Sequence, residues 1–259
     1  MKILAVGDVF GGVGVRALLA RLPGLREEHR PDVVVVNAEN AASGAGTSIR
    51  QARDLLAAGV DVLTGGNHTF RKTELMPFLE GEPRVLRPAN IAVRAPGRAT
   101  VVVPTASGEP LGVVNVMGAV FMTATASPFA IIDGLLEEVR REARHVLVDI
   151  HAEATSEKVA LARHLDGRVT AVVGTHTHVQ TADARVLAGG TAYVTDLGMT
   201  GPHDSVIGVR TDQVLRRFLT AAPGRFDPAE GEVLVQGAVI EAGPDGRATA
   251  IRCFSVPGE

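Results

Sequence analysis

Five short segments of this chain carry residues that can ligate a cation: Gly7-Asp8, Asn37-Ala38-Glu39-Asn40, Gly66-Asn67-His68, Asp149-Ile150-His151 and Gly174-Thr175-His176-Thr177-His178. Most follow β-branched apolar runs such as Val33-Val34-Val35-Val36, which read as strands buried on both faces. In an open α/β sheet, ligands collect in the crevice outside the strand ends. The pattern therefore predicts an α/β chain that delivers acids, amides and imidazoles to one rim. A metal site assembled from the whole chain follows, and with it a hydrolase.

Bulk properties narrow the alternatives. A length of 259 residues holds one large α/β domain or two small ones. No linker, repeat or low-complexity tract divides the chain, so a single domain over 1–259 is expected. The formal charge is -3, from 26 Lys plus Arg against 29 Asp plus Glu, with no basic stripe. One Tyr, eight Phe and no Trp leave little for base stacking, so a stable nucleic-acid complex is not expected. Cys253 is the only cysteine, which excludes an intrachain disulfide and a thiolate cluster; it reads as a small core residue. The apolar start before Asp8 is too short for a signal sequence, and no run approaches the roughly 18 apolar residues of a membrane span. A cytoplasmic protein is expected.

The expected order of elements fits that class. Residues 3–6 read as the first strand, and 13–29 as a helix that Pro23 kinks or divides. A strand at 32–36, a helix from an N-capping Ser48 to residue 58 and a strand at 60–64 complete a β-α-β-α-β run, the sign of a right-handed parallel sheet. A short helix near 72–79 precedes strands near 100–103 and 112–116, read as antiparallel. Helices over 131–144, 156–165 and 211–221 alternate with strands at 145–150, 170–173, 191–195, 233–239 and 249–256. Residues 118–128 form a loop that could act as a lid. Strands outnumber helices, so two sheets are expected.

His176-Thr177-His178 is the sharpest local signal, because residues i and i+2 of an extended segment point the same way. Alone it also describes two solvated histidines. His151 is a ligand or a plain polar strand terminus, and Glu153 orients a ligand or is a surface acid. Glu39 can bridge two ions, and Asn40 offers a neutral side-chain oxygen or forms a turn. Asn67 can ligate and His68 can handle protons, or the two belong to a Gly-Asn turn. Asp8 is a ligand or a helix cap. These ordinary readings do not explain why Asp8, Glu39, Asn40, Asn67, His151, His176 and His178 all fall at strand ends. A mixed O/N set without sulfur suits manganese, iron or zinc at an open catalytic site, and so large a set argues for two ions. The glycines of 7–14 miss the G-x-G-x-x-G spacing and no Lys-Ser/Thr pair follows, so a dinucleotide site is not expected.

At these residues the chain resembles the calcineurin-like metallophosphoesterase superfamily, and within it the YmdB-type branch of 2',3'-cyclic-nucleotide phosphodiesterases. The resemblance runs through most of the chain. It rests on Gly7-Asp8-Val9, Asn37-Ala38-Glu39-Asn40, Gly65-Gly66-Asn67-His68, the block 151–158 beginning His151-Ala152-Glu153, and the block 174–183 containing His176-Thr177-His178. Thr195-Asp196-Leu197-Gly198-Met199-Thr200-Gly201 also fits the branch. The resemblance implies a four-layer α/β/β/α sandwich with two mixed sheets and two metal ions, iron or manganese, with zinc as the alternative. By similarity, Asp8, Glu39, Asn40 and His178 surround one ion and Glu39, Asn67, His151 and His176 the other. Glu39 then bridges, and His68 is the catalytic acid. Two positions depart from the wider superfamily: its Asp-x-His motif is Asp8-Val9-Phe10 here, and its bridging Asp is Glu39. Both fit the YmdB-type branch.

The implied reaction is hydroxide attack on a strained cyclic phosphodiester, with His68 protonating the departing ribose oxygen. Phosphomonoesters or 3',5'-cyclic nucleotides are alternative substrates for the same metals. A regulatory RNA- or partner-binding module with a structural metal is the alternative from another class. The acidic balance and the size of the donor set count against it. The expected partner is a cyclic nucleotide or other small phosphodiester, with no membrane; a homo-oligomer is left open.

Overall fold

The computed structural model describes residues 1–258. Its strands are β1 (Lys2–Val6), β2 (Asp8–Val9), β3 (Val33–Asn37), β4 (Val62–Thr64), β5 (Thr100–Val103), β6 (Leu111–Met117), β7 (His145–His151), β8 (Ala171–Thr175), β9 (Arg185–Val186), β10 (Ala192–Val194), β11 (Met199–Pro202), β12 (Val233–Ala242) and β13 (Ala248–Pro257). Its α-helices are α1 (Gly11–His29), α2 (Ile49–Ala57), α3 (Leu75–Gly81), α4 (Pro128–Val139), α5 (Thr155–His164) and α6 (Thr211–Thr220).

The first sheet runs β2-β11-β12-β1-β3-β4, with β13 also on β12; the second runs β5-β6-β7-β8-β10-β9. Parallel β1-β3-β4 and β6-β7-β8-β10 form the two centres. Antiparallel β12, β13, β5 and β9 make both sheets mixed.

Side chains alternate along a strand, so each central strand serves two cores. Leu4 and Val6 of β1 pack with Leu18 and Leu22 of α1 and Leu55 of α2. Ile3 and Ala5, on the other face, meet Val113, Leu147 and Val173 of the second sheet. Val114, Val146 and Val148 turn away to Ile132 and Leu136 of α4 and Leu161 of α5. The result is the expected α/β/β/α sandwich. Full burial of each such Val, Leu or Ile is worth about 1.5–3 kcal/mol, and burial on both faces explains the unbroken apolar runs.

Several boundaries differ from expectation. Pro23 does not divide α1, which begins at Gly11 and runs to His29 as one helix. Leu18, Leu22 and Leu25 anchor it, while Pro23 and Gly24 face solvent, where a carbonyl deprived of its partner can meet water. Helix α4 stops at Val139, short of residue 144. Arg141 and Glu142 donate instead to carbonyls three residues back (Glu138 and Val139), the tightening common at helix ends. Ser48 caps α2 as expected, in a reciprocal box with Gln51. β2 and β11 went unread because neither is an apolar β-branched run. They pair in parallel, Asp8 opposite Met199, so Asp8 opens β2 and neither ends β1 nor caps α1. Among the described residues, no helix is long and apolar enough to cross a membrane.

Candidate metal centre

The C-terminal ends of β3, β4, β7 and β8, together with β2, meet at one rim. The turn after β3 carries Glu39 and Asn40, pinned by Ala38 N–H donating to Thr64 O at 3.0 Å and Gly11 N–H to Asn40 O at 2.8 Å. Asn67 and His68 follow β4. His151 is the last residue of β7, opposite Thr175, the last of β8. His176 and His178 come next, both at positive φ, +100° and +64°.

The sequence-derived donors converge. His151 Nε2 lies 3.0 Å from Asn67 Oδ1, 3.1 Å from His176 Nδ1 and 3.3 Å from Glu39 Oε1. Beside this group, Asp8 Oδ1 lies 3.5 Å from Asn40 Nδ2 and 3.8 Å from His178 Nε2, and those two nitrogens are 3.0 Å apart. Asn40 departs from expectation in one respect: its amide nitrogen faces Asp8 and His178, while Oδ1 accepts from His68 Nδ1 at 2.8 Å. The oxygen is engaged by His68, so ligation through Oδ1 requires the amide to turn over. His68 Nδ1 is also 3.1 Å from Glu39 Oε1, and its backbone N–H donates to Glu39 Oε2 at 2.7 Å. Gly66 makes room, since a Cβ there would overlap His151 Nε2 and Glu39 Oε2.

The chemistry of this donor set tests whether a metal fits. Two imidazoles hydrogen-bond outward, His151 Nδ1 to Thr175 Oγ1 and His178 Nδ1 to Ile207 O, both at 2.9 Å, while the Glu153 carboxylate lies 3.1 Å from His176 Nε2. A ring that donates outward presents a lone pair inward. His151 Nε2 then presents a lone pair 3.1 Å from His176 Nδ1, a contact that a proton or a cation must bridge. Glu39, His151 and His176 offer atoms all within 4.8 Å of one another. Separations of 3.0–3.3 Å around His151 are those of neighbouring ligands on an ion with bonds of about 2.0–2.2 Å. The residues fit a cation.

Without a metal, charge is balanced by protons. Burial disfavours a charged His151, but the adjacent Glu39 carboxylate prevails and raises its pKa to about 9. Burial and the neighbouring His151 charge push His176 down to about 3. Glu39 is lowered well below the usual range: burial opposes its charge, and His151 and His68 outweigh that. Asp8 rises to about 6 through burial, partly offset by His178 and His151.

Sequence reasoning missed the groups behind the donors. Buried Asp149 accepts from Thr175 Oγ1 at 2.8 Å and from Asn37 Nδ2 at 3.2 Å, with Thr64 as a third donor. Its carboxyl is raised by burial. Asp149 thus braces the hydroxyl that orients His151, and Asn37 belongs to this brace. The only local hint was that Asp149 sits inside an apolar strand. A cavity of about 420 Å³ opens over the donors, with Glu39, Asn40, His68, His176 and His178 on one side and Phe10, Ile207, Val209 and Phe226 among its apolar lining. Phe10, at the position of the superfamily histidine, packs edge-on against His178 at 5.5 Å. Cys253 is half-buried beside the inter-sheet core with its thiol pushed up to about 11 by burial, consistent with a packing residue.

The sandwich is a metallophosphoesterase fold. The profile of the YmdB-like protein family matches residues 4–254, and the chain belongs to that family. It is 43% identical over 241 residues to the 2',3'-cyclic-nucleotide 2'-phosphodiesterase of Bacillus subtilis (strain 168), covering 93% of this chain and 91% of that protein. A hypothetical protein from Thermus thermophilus superposes with a TM-score of 0.93 at 44% identity, covering 99% of each chain. The crystal structure of a novel phosphatase from Mycoplasma pneumoniae gives 0.91 at 31% identity, covering 99% of this chain and 93% of that one.

Proposed function

We propose that this phosphoric diester hydrolase acts on 2',3'-cyclic nucleotides with two cations. Asp8, Asn40 and His178 would hold one, Asn67, His151 and His176 the other, and Glu39 would bridge them. Bound there, the cations would supply a reactive hydroxide at neutral pH and neutralise charge on the phosphoryl oxygens. The observation that carries the reading is the convergence of Asn67 Oδ1, His176 Nδ1 and Glu39 Oε1 on His151 Nε2, all within 3.3 Å.

The chain's own groups account for the remaining chemistry. His68 keeps Nδ1 against Glu39, which leaves Nε2 for the substrate. When water's oxygen joins phosphorus and a ribose oxygen leaves, His68 gives that oxygen its proton. Such help is worth about 10²–10⁴-fold. The product is a nucleoside phosphomonoester. Ile207, Val209 and Phe226 give the cavity an apolar wall suited to a base or sugar face, and the name of the Bacillus subtilis relative supports the same substrate.

The phosphatase name of the Mycoplasma pneumoniae structure favours phosphomonoesters as a second reading. Metal-reconstituted protein assayed on 2',3'-cAMP, 3',5'-cAMP, bis-p-nitrophenyl phosphate and p-nitrophenyl phosphate separates the two. The expected result is the highest kcat/KM on 2',3'-cAMP. A preference for the monoester would overturn the proposal.

A further inference from the structure

The segment Thr195-Asp196-Leu197-Gly198 contributes no donor to the cluster, yet it contains a carboxylate paired with a lysine at zero side-chain exposure for both. Lys158 Nζ, from α5, donates to Asp196 Oδ2 at 2.8 Å. The same oxygen accepts Thr177 N–H at 3.1 Å and Thr177 Oγ1–H at 2.8 Å. Its partner Oδ1 accepts Gly198 N–H at 2.9 Å. Thr177 is the residue between the two histidines.

A buried ion pair is no better a stabiliser than a well-packed apolar pair, so its position needs another reason. The backbone supplies one. His176 and His178 both sit at positive φ, +100° and +64°, where residues with a Cβ are strained. Such a conformation persists only when its surroundings impose it. On the rim side, His176 N–H donates to Asp8 Oδ2 at 2.9 Å. On the interior side, the restraint is Asp196, gripping Thr177 by main chain and side chain together. Lys158 brings a fourth donor to the same carboxylate, which thereby joins α5 to the Thr177 peptide.

We propose that Asp196, charge-balanced by Lys158, is a positioning residue for His176 and His178: it locks the Thr177 peptide so that both imidazoles point at the metal centre. This rests on the reading of those histidines as ligands. Neither Asp196 nor Lys158 lines the cavity over the donors.

The test is a Co²⁺ titration of chelator-stripped full-length protein, followed by calorimetry and visible absorption. Thr177→Val removes the hydroxyl donor and keeps the size of a half-buried side chain; Asp196→Asn removes the charge and keeps the shape. Both are expected to weaken Co²⁺ binding about 10- to 100-fold, the usual effect of losing a partner behind a ligand, and to alter the Co²⁺ spectrum. Thr177→Ser retains the hydroxyl and should bind like the parent. Far-UV circular dichroism and the thermal midpoint of the metal-free Thr177→Val protein should match the parent. If Asp196→Asn does not fold, Thr177→Val and Thr177→Ser decide alone. Parent-like Co²⁺ affinity and spectrum in Thr177→Val would overturn the proposal. Controls His176→Ala and His178→Ala separate the premise: full Co²⁺ stoichiometry in either would remove that histidine from the ligand set.

Discussion

The two halves of the rim are built by different means. The first sheet contributes oxygen-bearing side chains, Asp8, Glu39, Asn40 and Asn67; the second contributes His151, His176 and His178. None of the first four has a positive φ, and main-chain bonds such as Gly11 N–H to Asn40 O fix their turns. The imidazole half contains the two strained residues, and the rings of His151 and His178 are aimed by an acceptor behind each. The oxygen-bearing residues are thus placed by turns that main-chain bonds fix, with His68 on Glu39 and Asn40, while the imidazoles depend on side-chain and carbonyl partners from other segments. Substitutions away from the donors should therefore harm the second half more than the first.

Removing the carboxylate shared by both groups gives the greatest loss. Glu39→Gln should reduce bound metal to background and abolish turnover, read by elemental analysis and assay of the same sample. Retained metal would show that the halves do not depend on Glu39. His68→Ala should lower kcat about 10²–10⁴-fold with metal content unchanged; lost metal would move His68 from proton donor to support of Glu39. Thr175→Val removes the acceptor behind His151, together with one donor to Asp149, and should weaken metal binding about 10- to 100-fold. An unchanged affinity would mean that the second half needs no aiming.

The most modest effect is on the pH dependence of stability. His151 is raised from 6.5 to about 9 in the folded chain. Between those values the folded state holds a proton that the unfolded state has released. Its contribution is complete below pH 6.5 and lost as pH rises through about 9. The opposing shift of His176, down to about 3, acts only below pH 6.5. Metal-free protein should therefore lose stability from pH 6.5 to 9, by more than about 1.4 kcal/mol, the equivalent of one pKa unit. Denaturant titrations of the parent and His151→Gln check this, and the slope should be absent in the variant.

The donors were legible because each follows a strand buried on both faces, and such strands leave continuous apolar runs ending at polar residues. Two sheets were expected because strands outnumber helices, and the four-layer order was what the family resemblance implies. The partners behind the donors were not legible. A bond from His178 to the carbonyl of Ile207, or from Thr177 to Asp196, joins loops with no periodic trace in the sequence. Asp149 looked like a strand-end polar residue, and only the packing of Thr175 and Thr64 around it shows that it braces His151. β2 and β11 escaped because pairing with a long neighbour, β12, stabilises β11 more than its own propensities do. Pro23 does not divide α1, because the anchoring of the helix by leucines on one face overrides a local breaker on the other.

The central claim is that side chains from two sheets hold a pair of cations between them. Anomalous diffraction from crystals of manganese-reconstituted protein, recorded above and below the manganese edge, addresses it directly. Two peaks are expected, one among Glu39, Asn67, His151 and His176 and one among Asp8, Glu39, Asn40 and His178. A single peak, or density only outside this cluster, would contradict it.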